Sequence, residues 1–253
     1  MLKVGFIQII MITSKQNQLI KKIRSLDNKK FRDLEGLYVV EGIKMVNEAV
    51  KLGQKIEYIV CTESASSLVS AGNFEITTVT DEIFEYLSTE VTPQGALAVI
   101  SKPSYLLKAP SDSCLLLDGV SDPANVGAII RTAVASGYKD LYLVGCADAY
   151  SPKAVRASMS GIYGVNVYTC THEELFGVLN MPIIVADMGG ENVFSFDKKE
   201  RFCLVIGNEA HGVSQTVRDK ASFIVSIPMG KGMESLNASV SAGILMYALK
   251  NKF

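Results

Sequence analysis

The stretch CLLLDGVSDPANVGAIIRTAVAS, residues 114–136, predicts how the second half of this chain folds. It begins with an apolar run, Cys114–Leu117, typical of a buried strand, and ends with helical apolar spacing over Val126–Ser136. The turn Asp122–Pro123 separates the two, and Asn125 stands where a helix N-cap is expected. The stretch therefore predicts one βα unit.

The same alternation continues to the end of the chain. Further strands are predicted at Asp140–Val144, Ile183–Ala186, Phe202–Ile206 and Phe223–Ile227, and further helices at Ser151–Ser160, Ser214–Lys220 and Ser235–Lys250. Apolar strands that alternate with helices favour a parallel sheet, and such sheets bind ligands at the carboxyl ends of their strands. The chain has no G-x-G-x-x-G and no P-loop sequence, so a conventional dinucleotide or nucleoside-triphosphate site has no support.

Three blocks join an apolar segment to a helix-like one through small and polar residues. They are DPANVGAIIRTA (Asp122–Ala133), IGNEAHG (Ile206–Gly212) and IPMGKGMESLNASVSAG (Ile227–Gly243). Catalytic and binding groups are disproportionately held on such junctions. In order and content the blocks resemble the three motifs of the SpoU (TrmH-type) RNA ribose methyltransferases of the SPOUT superfamily. The resemblance covers the chain after about Leu115 and, more loosely, the region before it.

The resemblance implies an α/β fold with two domains. Residues 112–253 would form the SpoU-type methyltransferase domain, a parallel-sheet SPOUT domain with a deep trefoil knot. Residues 11–104 would form a small α/β ribosomal-protein-like domain that binds the RNA substrate. Topology rules assign knots a very low prior, and nothing in the spacing predicts one, so the knot depends on the resemblance alone.

The resemblance also implies the reaction. The expected activity is S-adenosyl-L-methionine-dependent methylation of a ribose 2′-hydroxyl in RNA, with ribosomal RNA favoured and transfer RNA as an alternative substrate. Such an in-line displacement needs donor and acceptor held in near-attack geometry and needs no metal. Neither the RNA nor the target nucleotide can be read from the sequence.

In the first block, Asn125 and Arg131 each allow two interpretations. Helix capping would fully explain Asn125, and a surface or interface ion pair would explain Arg131. Small helical neighbours such as Gly127 and Ala128 leave the guanidinium on a face that a backbone or a substrate could approach closely. The resemblance makes both residues catalytic. Because arginine is effectively always protonated, we expect Arg131 to orient the ribose and stabilise developing alkoxide charge, with literal proton abstraction left open.

The other two blocks supply the remaining site residues that the resemblance implies. These are Glu209, Ser235 and Asn237 as catalytic residues, and Gly207, Ile227 and Leu236 as contacts to the methyl donor. Glu209 could instead favour the positive end of a helix, and Ser235 could be an N-cap. Gly207 would allow a ligand close to the backbone. His211 is not required by the family motif and is interpreted as an incidental loop residue.

The first hundred residues have their own mixed pattern. Helical spacing covers Asn17–Leu26 and Gly42–Leu52, and LYVVEG, IEYIVCT, FEITTVT and ALAVIS are typical of short strands. Lys102–Asp112, with its Pro and Ser residues, is expected to be the linker.

Basic residues cluster near the start of this region. Against one acid, Asp27, the cluster contains Lys15, Lys21, Lys22, Arg24, Lys29, Lys30 and Arg32. Such a face is typical of phosphate contact, and Lys21, Lys22 and Arg24 are the predicted RNA-binding residues. A solvated helix face is the alternative.

Composition limits the remaining possibilities. The 253 residues are 48% apolar and 20% charged, which is ordinary for globular proteins, and the net charge of −1 argues against indiscriminate nucleic-acid binding. Five scattered cysteines without a C-x-x-C pair, beside two histidines, predict reduced thiols in a cytoplasmic protein and no metal site. The apolar run Val4–Ile12 is too short to span a bilayer and lacks a cleavage pattern. Of the two candidate starts, Met1 and Met11, we expect Met11, because the polar segment from Thr13 resembles the start of a domain.

The last predicted helix has small residues followed by an apolar stripe, which suits a core or a subunit interface. The resembling family forms homodimers through the C-terminal domain, so a homodimer is expected. Two other classes remain open: a catalytically silent RNA-binding protein of the same fold, and a small-molecule nucleotide enzyme with a doubly wound sheet.

Overall fold

The computed structural model describes residues 11–197, 199–232 and 235–250. The segment before Met11, on which the expected start depends, lies outside the described residues, as do residues 233–234 of the third block. In the described part of the chain, no helix has the length and apolar character needed to cross a membrane.

The chain divides into two compact units. One reaches to Pro103 and includes Tyr150–Pro152, and the other comprises Ser104–Ala149 and the chain from Lys153 onward. The division between 103 and 104 falls inside the predicted linker, Lys102–Asp112.

The first unit is a mixed sheet covered by helices. Its described strands are β1 (Leu37–Glu41), β2 (Ile56–Thr62), β3 (Ile76–Val79) and β4 (Ala96–Ser101), and its described helices are α1 (Gln18–Ser25), α2 (Lys29–Glu35), α3 (Ile43–Lys51), α4 (Glu63–Ser66) and α5 (Asp81–Leu87). The strand order is β1-β4-β2-β3, with β4 antiparallel to both neighbours and β2 parallel to β3. In its core, the apolar face of α1, which includes Ile20 and Ile23, packs against sheet residues such as Val60 and Leu97. This is the α/β unit that the sequence predicts.

The second unit has the predicted parallel sheet. Its described strands are β5 (Cys114–Asp118), β6 (Asp140–Val144), β7 (Asn166–Thr169), β8 (Ile183–Asn192), β9 (Cys203–Gly207) and β10 (Phe223–Ser226), and its described helices are α6 (Pro123–Ala135), α7 (Pro152–Ser158), α8 (His172–Val178), α9 (Gln215–Arg218) and α10 (Ala238–Leu249). The strand order is β10-β8-β9-β5-β6-β7, and every neighbouring pair is parallel. The fold class is therefore confirmed, and the trefoil knot stays a prediction.

Helix α6 begins three residues earlier than the sequence predicts. Asp122 is its N-cap, with the carboxylate accepting from Ala124 N, and Pro123 occupies the first turn. The N-cap interpretation of Asn125 is therefore wrong, because that residue lies inside the helix. The same correction applies to α10, whose N-cap is Asn237 and not Ser235.

The small residues of α6 permit close backbone packing. A Cβ added to Gly127 would lie 2.2 Å from the carbonyl oxygen of Ala154 on α7. A Cβ added to Gly161, in the 3-10 turn Met159–Tyr163, would lie 3.0 Å from the Cα of Arg131. The close approach that the sequence predicts on this face is thus made by the backbone of the same chain.

Helix α10 packs against α6, and its small residues are used in that contact. A Cβ on Gly243 would lie 3.5 Å from Thr132 of α6, and Ala242 is fully buried. Val240 and Tyr247 remain about half exposed on α10, with 49% and 46% of their surface accessible. The small-residue face therefore belongs to the core of this unit, and a smaller apolar surface is left on the outside.

Candidate active site

The three blocks meet at the carboxyl edge of the parallel sheet. The first block follows β5, the second spans the end of β9, and the third follows β10. In a parallel sheet the carboxyl ends of all strands lie along one edge, which is where α/β proteins bind ligands. The segments that follow these strands, which carry Asn125, Glu209 and Asn237, are therefore brought to a common edge.

A chain of side-chain hydrogen bonds connects the three blocks. Asn237 Nδ2 donates to Asn125 Oδ1 at 3.0 Å, and Asn125 Nδ2 donates to Glu209 Oε1 at 2.8 Å. Asn125 is 7% exposed and both ends of its amide have partners, as burial of a polar group requires. Asn125, Glu209 and Asn237, which the sequence predicts as catalytic residues, thus form one connected group.

Besides its bond with Asn125, Glu209 accepts hydrogen bonds from the turn before α6. Its Oε2 accepts from Ser121 N and Ser121 Oγ, both at 3.1 Å, and its Oε1 accepts from Asp122 N at 3.4 Å. Burial alone would raise the pKa of Glu209, but the hydrogen bonds from Asn125 and from backbone amides outweigh it and lower the pKa to about 2. Glu209 is therefore a carboxylate at neutral pH and acts here only as an acceptor.

Asn237 is held in place by its own helix. Its Oδ1 accepts from Ser239 N at 2.9 Å and from Ser239 Oγ at 2.7 Å, and also from Val240 N at 3.4 Å. Because the oxygen is used in capping, the amide nitrogen must point toward Asn125. One side chain thus starts α10 and positions the first block.

Arg131 stands apart from this group. Its side chain is exposed, and it makes no hydrogen bond or ion pair with any residue in the described part of the chain. The ion-pair interpretation of Arg131 has no support within these residues. The five donors of its guanidinium are available to an external partner such as a phosphate or a ribose.

Ser235 and the three predicted donor contacts are less closely connected. Ser235 is exposed, Leu236 is 36% exposed, and Ile227, directly after β10, is partly buried. Gly207 ends β9, and a Cβ added there would lie 2.4 Å from both Gly212 C and Val213 N. The space beside Gly207 is therefore filled by the chain's own backbone, and a larger residue there would disturb the loop before it disturbed a ligand.

Asn208 organises the second block, and the sequence interpretation missed it. Its Nδ2 donates to Gly119 O at 2.7 Å, and its Oδ1 accepts from Ala210 N at 2.8 Å and His211 N at 3.0 Å. The exposed His211 takes part through its backbone, in agreement with its interpretation as a loop residue. An Asn directly after a glycine-ended strand is typical of a turn that is stabilised by side-chain acceptance, and this signal was available.

Asp118 was also missed. Its carboxylate ends β5 with 5% exposure, and it accepts from Ser214 N at 2.7 Å and contacts His172 Nε2 at 2.8 Å. The buried acid thereby anchors the end of the Asn208–Ser214 loop and the start of α8. The two partners lie far away in the sequence, so no local pattern indicates these contacts.

The basic cluster of the first unit is largely neutralised. Within the described residues the following pairs form: Lys15 with Glu82, Lys22 with Glu35, Arg24 with Asp27, and Lys29 with Asp33. Arg32 is buried and donates to Leu26 O and Asp27 O, so it stabilises the end of α1. Lys21 is exposed, and its side chain has no hydrogen bond or ion pair with a described residue. The sequence pattern therefore overestimated the free positive charge of this face.

Comparison with known proteins agrees with this geometry. The profile of the SpoU rRNA Methylase family matches residues 112–247, and the profile described as the MRM3-like substrate binding domain matches residues 17–98. The three linked motifs, residues 122–243, lie within the part of the chain that the SpoU profile matches. The chain belongs to the SpoU rRNA methylase family, as the sequence resemblance implies.

Relatives of known sequence or structure span nearly the whole chain. The 23S rRNA (guanosine(2553)-2′-O)-methyltransferase RlmP of Bacillus subtilis is 30% identical, over 94% of this chain and 98% of the relative. A TrmH-family structure from Porphyromonas gingivalis has 31% identity and a TM-score of 0.82, covering 95% of this chain and 99% of the other. The AdoMet-bound rRNA methyltransferase from Sinorhizobium meliloti has 26% identity and a TM-score of 0.83, covering 95% and 97%.

Proposed function

We propose that this protein transfers a methyl group from S-adenosyl-L-methionine to a ribose 2′-hydroxyl of RNA, with ribosomal RNA as the substrate. The observation that carries the proposal is the chain from Asn237 through Asn125 to Glu209, because it connects all three family motifs at the ligand-binding edge. A silent RNA-binding protein of the same fold could keep these hydrogen bonds for structure alone, so donor binding and methyl transfer are the measurements that separate the two functions. Family membership supports the same activity.

The donor site fits the residues of this edge. Ile227 and Leu236 are apolar and partly exposed, as walls for an adenine ring need to be. A Cβ added to Gly230 or Gly232 meets nothing within 4 Å among the described residues, so there is room beside the backbone at these two glycines. When bound, S-adenosyl-L-methionine supplies a methyl group on a sulfonium centre. Gly207, Ile227 and Leu236 would hold it through backbone groups and apolar contact.

Arg131 supplies the chemistry on the acceptor side in this proposal. Its guanidinium, which has no partner among the described residues, would hold the ribose or its phosphate and stabilise negative charge as the 2′-hydroxyl loses its proton. Glu209 stays ionised and organises the turn that leads into α6. Ser235 and Asn237, at the start of α10, complete the proposed catalytic group.

The first unit would bind the RNA, with residues 11–104 as the substrate domain and residues 112–253 as the methyltransferase domain. Of the proposed RNA-binding residues Lys21, Lys22 and Arg24, Lys21 is the best placed for direct phosphate contact because the other two are paired with acids. The RlmP relative acts on 23S rRNA by its name, which supports ribosomal over transfer RNA.

A homodimer in the cytoplasm is part of this proposal. Val240 and Tyr247 leave an apolar surface on α10 that a second copy could cover, and two-fold dimers are the commonest soluble oligomers. Light scattering at micromolar concentration tests it: twice the chain mass is expected, and a monomer mass would contradict it.

Calorimetry with S-adenosyl-L-methionine tests the proposed function at its first step. The wild-type protein should bind the donor, and Asn73→Ala, a change of an exposed asparagine in the first unit, should bind equally well. Absence of binding by the wild-type protein would contradict the proposal and favour a silent RNA-binding protein.

A further inference from the structure

We propose that Arg218 is a positioning residue of the donor site, which it serves by tying together two segments at the carboxyl edge of the sheet. One segment is the Asn208–Ser214 loop of the second motif. The other is the bulge 186–190 of β8, where the register with β10 jumps from Val185 opposite Ile224 to Glu191 opposite Val225. This inference rests on the proposed donor site.

The guanidinium of Arg218 reaches both segments at once. Its Nε donates to Val213 O at 3.0 Å, and its Nη2 forms an ion pair with Asp187 Oδ2. A Cβ added to Gly212 would lie 3.5 Å from Nη2, so the side chain also covers that glycine. A planar group with donors on two sides suits such a bridge, and a lysine could not reproduce it.

Asp187 connects Arg218 to the backbone of the bulge. Its Oδ1 accepts from Gly189 N at 3.3 Å, so one carboxylate orients the turn while its other oxygen binds Arg218. The next residue, Gly190, lies so close to β10 that an added Cβ would be 2.6 Å from Ile224 C and Val225 N. The bulge therefore has little freedom to shift without moving either Arg218 or β10.

On its other side, Arg218 holds Val213, which lies against Gly207, a proposed contact of the methyl donor. Val213, whose carbonyl Arg218 holds, has its backbone nitrogen 2.4 Å from the position of a Cβ on Gly207. Movement of Val213 would thus displace the backbone that lies against Gly207. The side chains of Arg218 and Asp187 are only 33% and 25% exposed, so the charge-assisted bond between them is largely shielded from solvent and its geometry is well defined. That geometry fixes where the two segments lie.

Removal of the bridge should weaken donor binding more than turnover. Arg218→Ala is expected to raise the Kd and KM for S-adenosyl-L-methionine by about tenfold or more, as loss of a supporting residue does at other sites. The kcat at saturating donor and the Kd for RNA should stay within about twofold. Arg218→Lys keeps the charge near Asp187 and should lie between the wild type and Arg218→Ala.

Asp187→Asn supplies the partner test. The amide oxygen can still accept from Gly189 N, while the charge that attracts Arg218 is lost. If the two residues act through one bridge, the double variant Arg218→Ala/Asp187→Asn should bind the donor about as weakly as the worse single variant. Additive losses would contradict a shared role.

Arg201→Ala is the matched control. Arg201 is an exposed arginine whose Nη2 likewise donates to a backbone carbonyl, Pro110 O, at 3.0 Å, but it lies before the amino end of β9. Donor affinity of this variant should equal that of the wild type. Thermal melting of all variants separates weakened binding from unfolding, and the Asp187→Asn and Arg218→Lys variants keep the test open if Arg218→Ala unfolds.

The outcomes separate this inference from the proposed function. If the wild-type protein binds the donor and Arg218→Ala binds it equally well, the positioning role is overturned and the proposed function stands. Equal losses in kcat, donor affinity and RNA affinity would also overturn it, since they indicate a general structural role. If the wild-type protein does not bind the donor, both proposals fail together.

Discussion

Asn237 Nδ2 donates to Asn125 Oδ1 at 3.0 Å, and the two residues are 112 positions apart in the sequence. The bond joins the start of α10 to the inside of α6. Asn125 in turn donates to Glu209, so its buried amide connects the third motif to the second. The orientation of that amide follows from its partners, since a carboxylate can only accept and the Asn237 oxygen is used in capping its own helix.

Asn125→Asp should make methyl transfer pH-dependent. The new carboxylate would lie within hydrogen-bond distance of Glu209. Two carboxylates at such a short distance share one proton, and the pKa at which the pair loses this proton is raised. Activity should therefore be low at pH 8 and rise as the pH falls, because a protonated acid again donates to Glu209. Rate measurements from pH 5 to pH 8 check this, and Asn73→Asp should follow the wild-type profile. A flat profile at wild-type rate for Asn125→Asp would show that the hydrogen bond is not needed.

Glu209 should contribute a constant stability at physiological pH. Its folded-state pKa, about 2, is lower than the ordinary value near 4.5, so its contribution is present above about pH 4.5 and is lost as the pH falls toward 2. Urea denaturation of the wild type and of Glu209→Gln should give a difference in unfolding free energy that does not change between pH 5 and pH 8. A difference that varies in this interval would mean that Glu209 titrates there and is not held as a carboxylate.

Arg131→Ala should affect turnover and leave donor binding nearly unchanged. A group that stabilises transition-state charge contributes about 10²–10⁴-fold to the rate, and the donor contacts lie in other blocks. Single-turnover rates at saturating RNA measure the first effect and calorimetry the second. Lys139→Ala, an exposed cation in the same unit, is the control. A weakened donor affinity in Arg131→Ala would contradict this division of roles.

Lys21 should contribute more to RNA binding than Lys22. Both substitutions to Ala change the net charge equally, but the Lys22 side chain is paired with Glu35, while the Lys21 side chain has no partner among the described residues. Lys21→Ala should reduce the slope of log affinity against log salt by about one, as loss of one phosphate contact does. The slope for Lys22→Ala should change less. Identical slopes would indicate that overall charge, and not direct contact, governs binding.

Gly127→Ala should destabilise the second unit by about 1–3 kcal/mol, because its Cβ would overlap the carbonyl oxygen of Ala154. Gly177→Ala is the matched control, since Gly177 also lies in a helix and its added Cβ meets nothing within 4 Å. That change should be neutral or stabilising by up to about 1 kcal/mol, because alanine is the better helix former. Equal effects of the two substitutions in thermal or urea unfolding would contradict the packing of α6 on α7.

Local patterns in the sequence predicted much of this fold. β2 and β4 occupy the predicted residues because their apolar runs are short and bounded by turns, and the βα alternation predicted the parallel sheet. β7 and α8 were missed, although Thr171 and Glu174 form a capping box, a helix-start signal that the sequence carries. The length of β8 was underestimated, since Gly189 and Gly190 resemble the end of a strand.

The site was predicted through its motifs, and its connections were not. Asn125 and Glu209 stand 84 positions apart, and no local rule relates them. The same limit applies to Asp118, whose partners Ser214 and His172 lie in a distant loop and helix, and to the ion pair between Arg218 and Asp187, which are 31 positions apart. The burial of Arg32 escaped prediction because a basic run is typical of a solvated surface, and only the fold shows that one member supports the end of α1.

The central claim is tested most directly by methyl transfer to ribosomal RNA isolated from cells that lack this gene. With methyl-labelled S-adenosyl-L-methionine, the wild-type protein should label that RNA, and nuclease mapping should locate the label on a ribose 2′-oxygen at one nucleotide. Arg131→Ala at the same concentration should label the same position at a rate lower by about 10²-fold or more. Label on a base, no label with the wild-type protein, or equal rates for the two proteins would contradict the account.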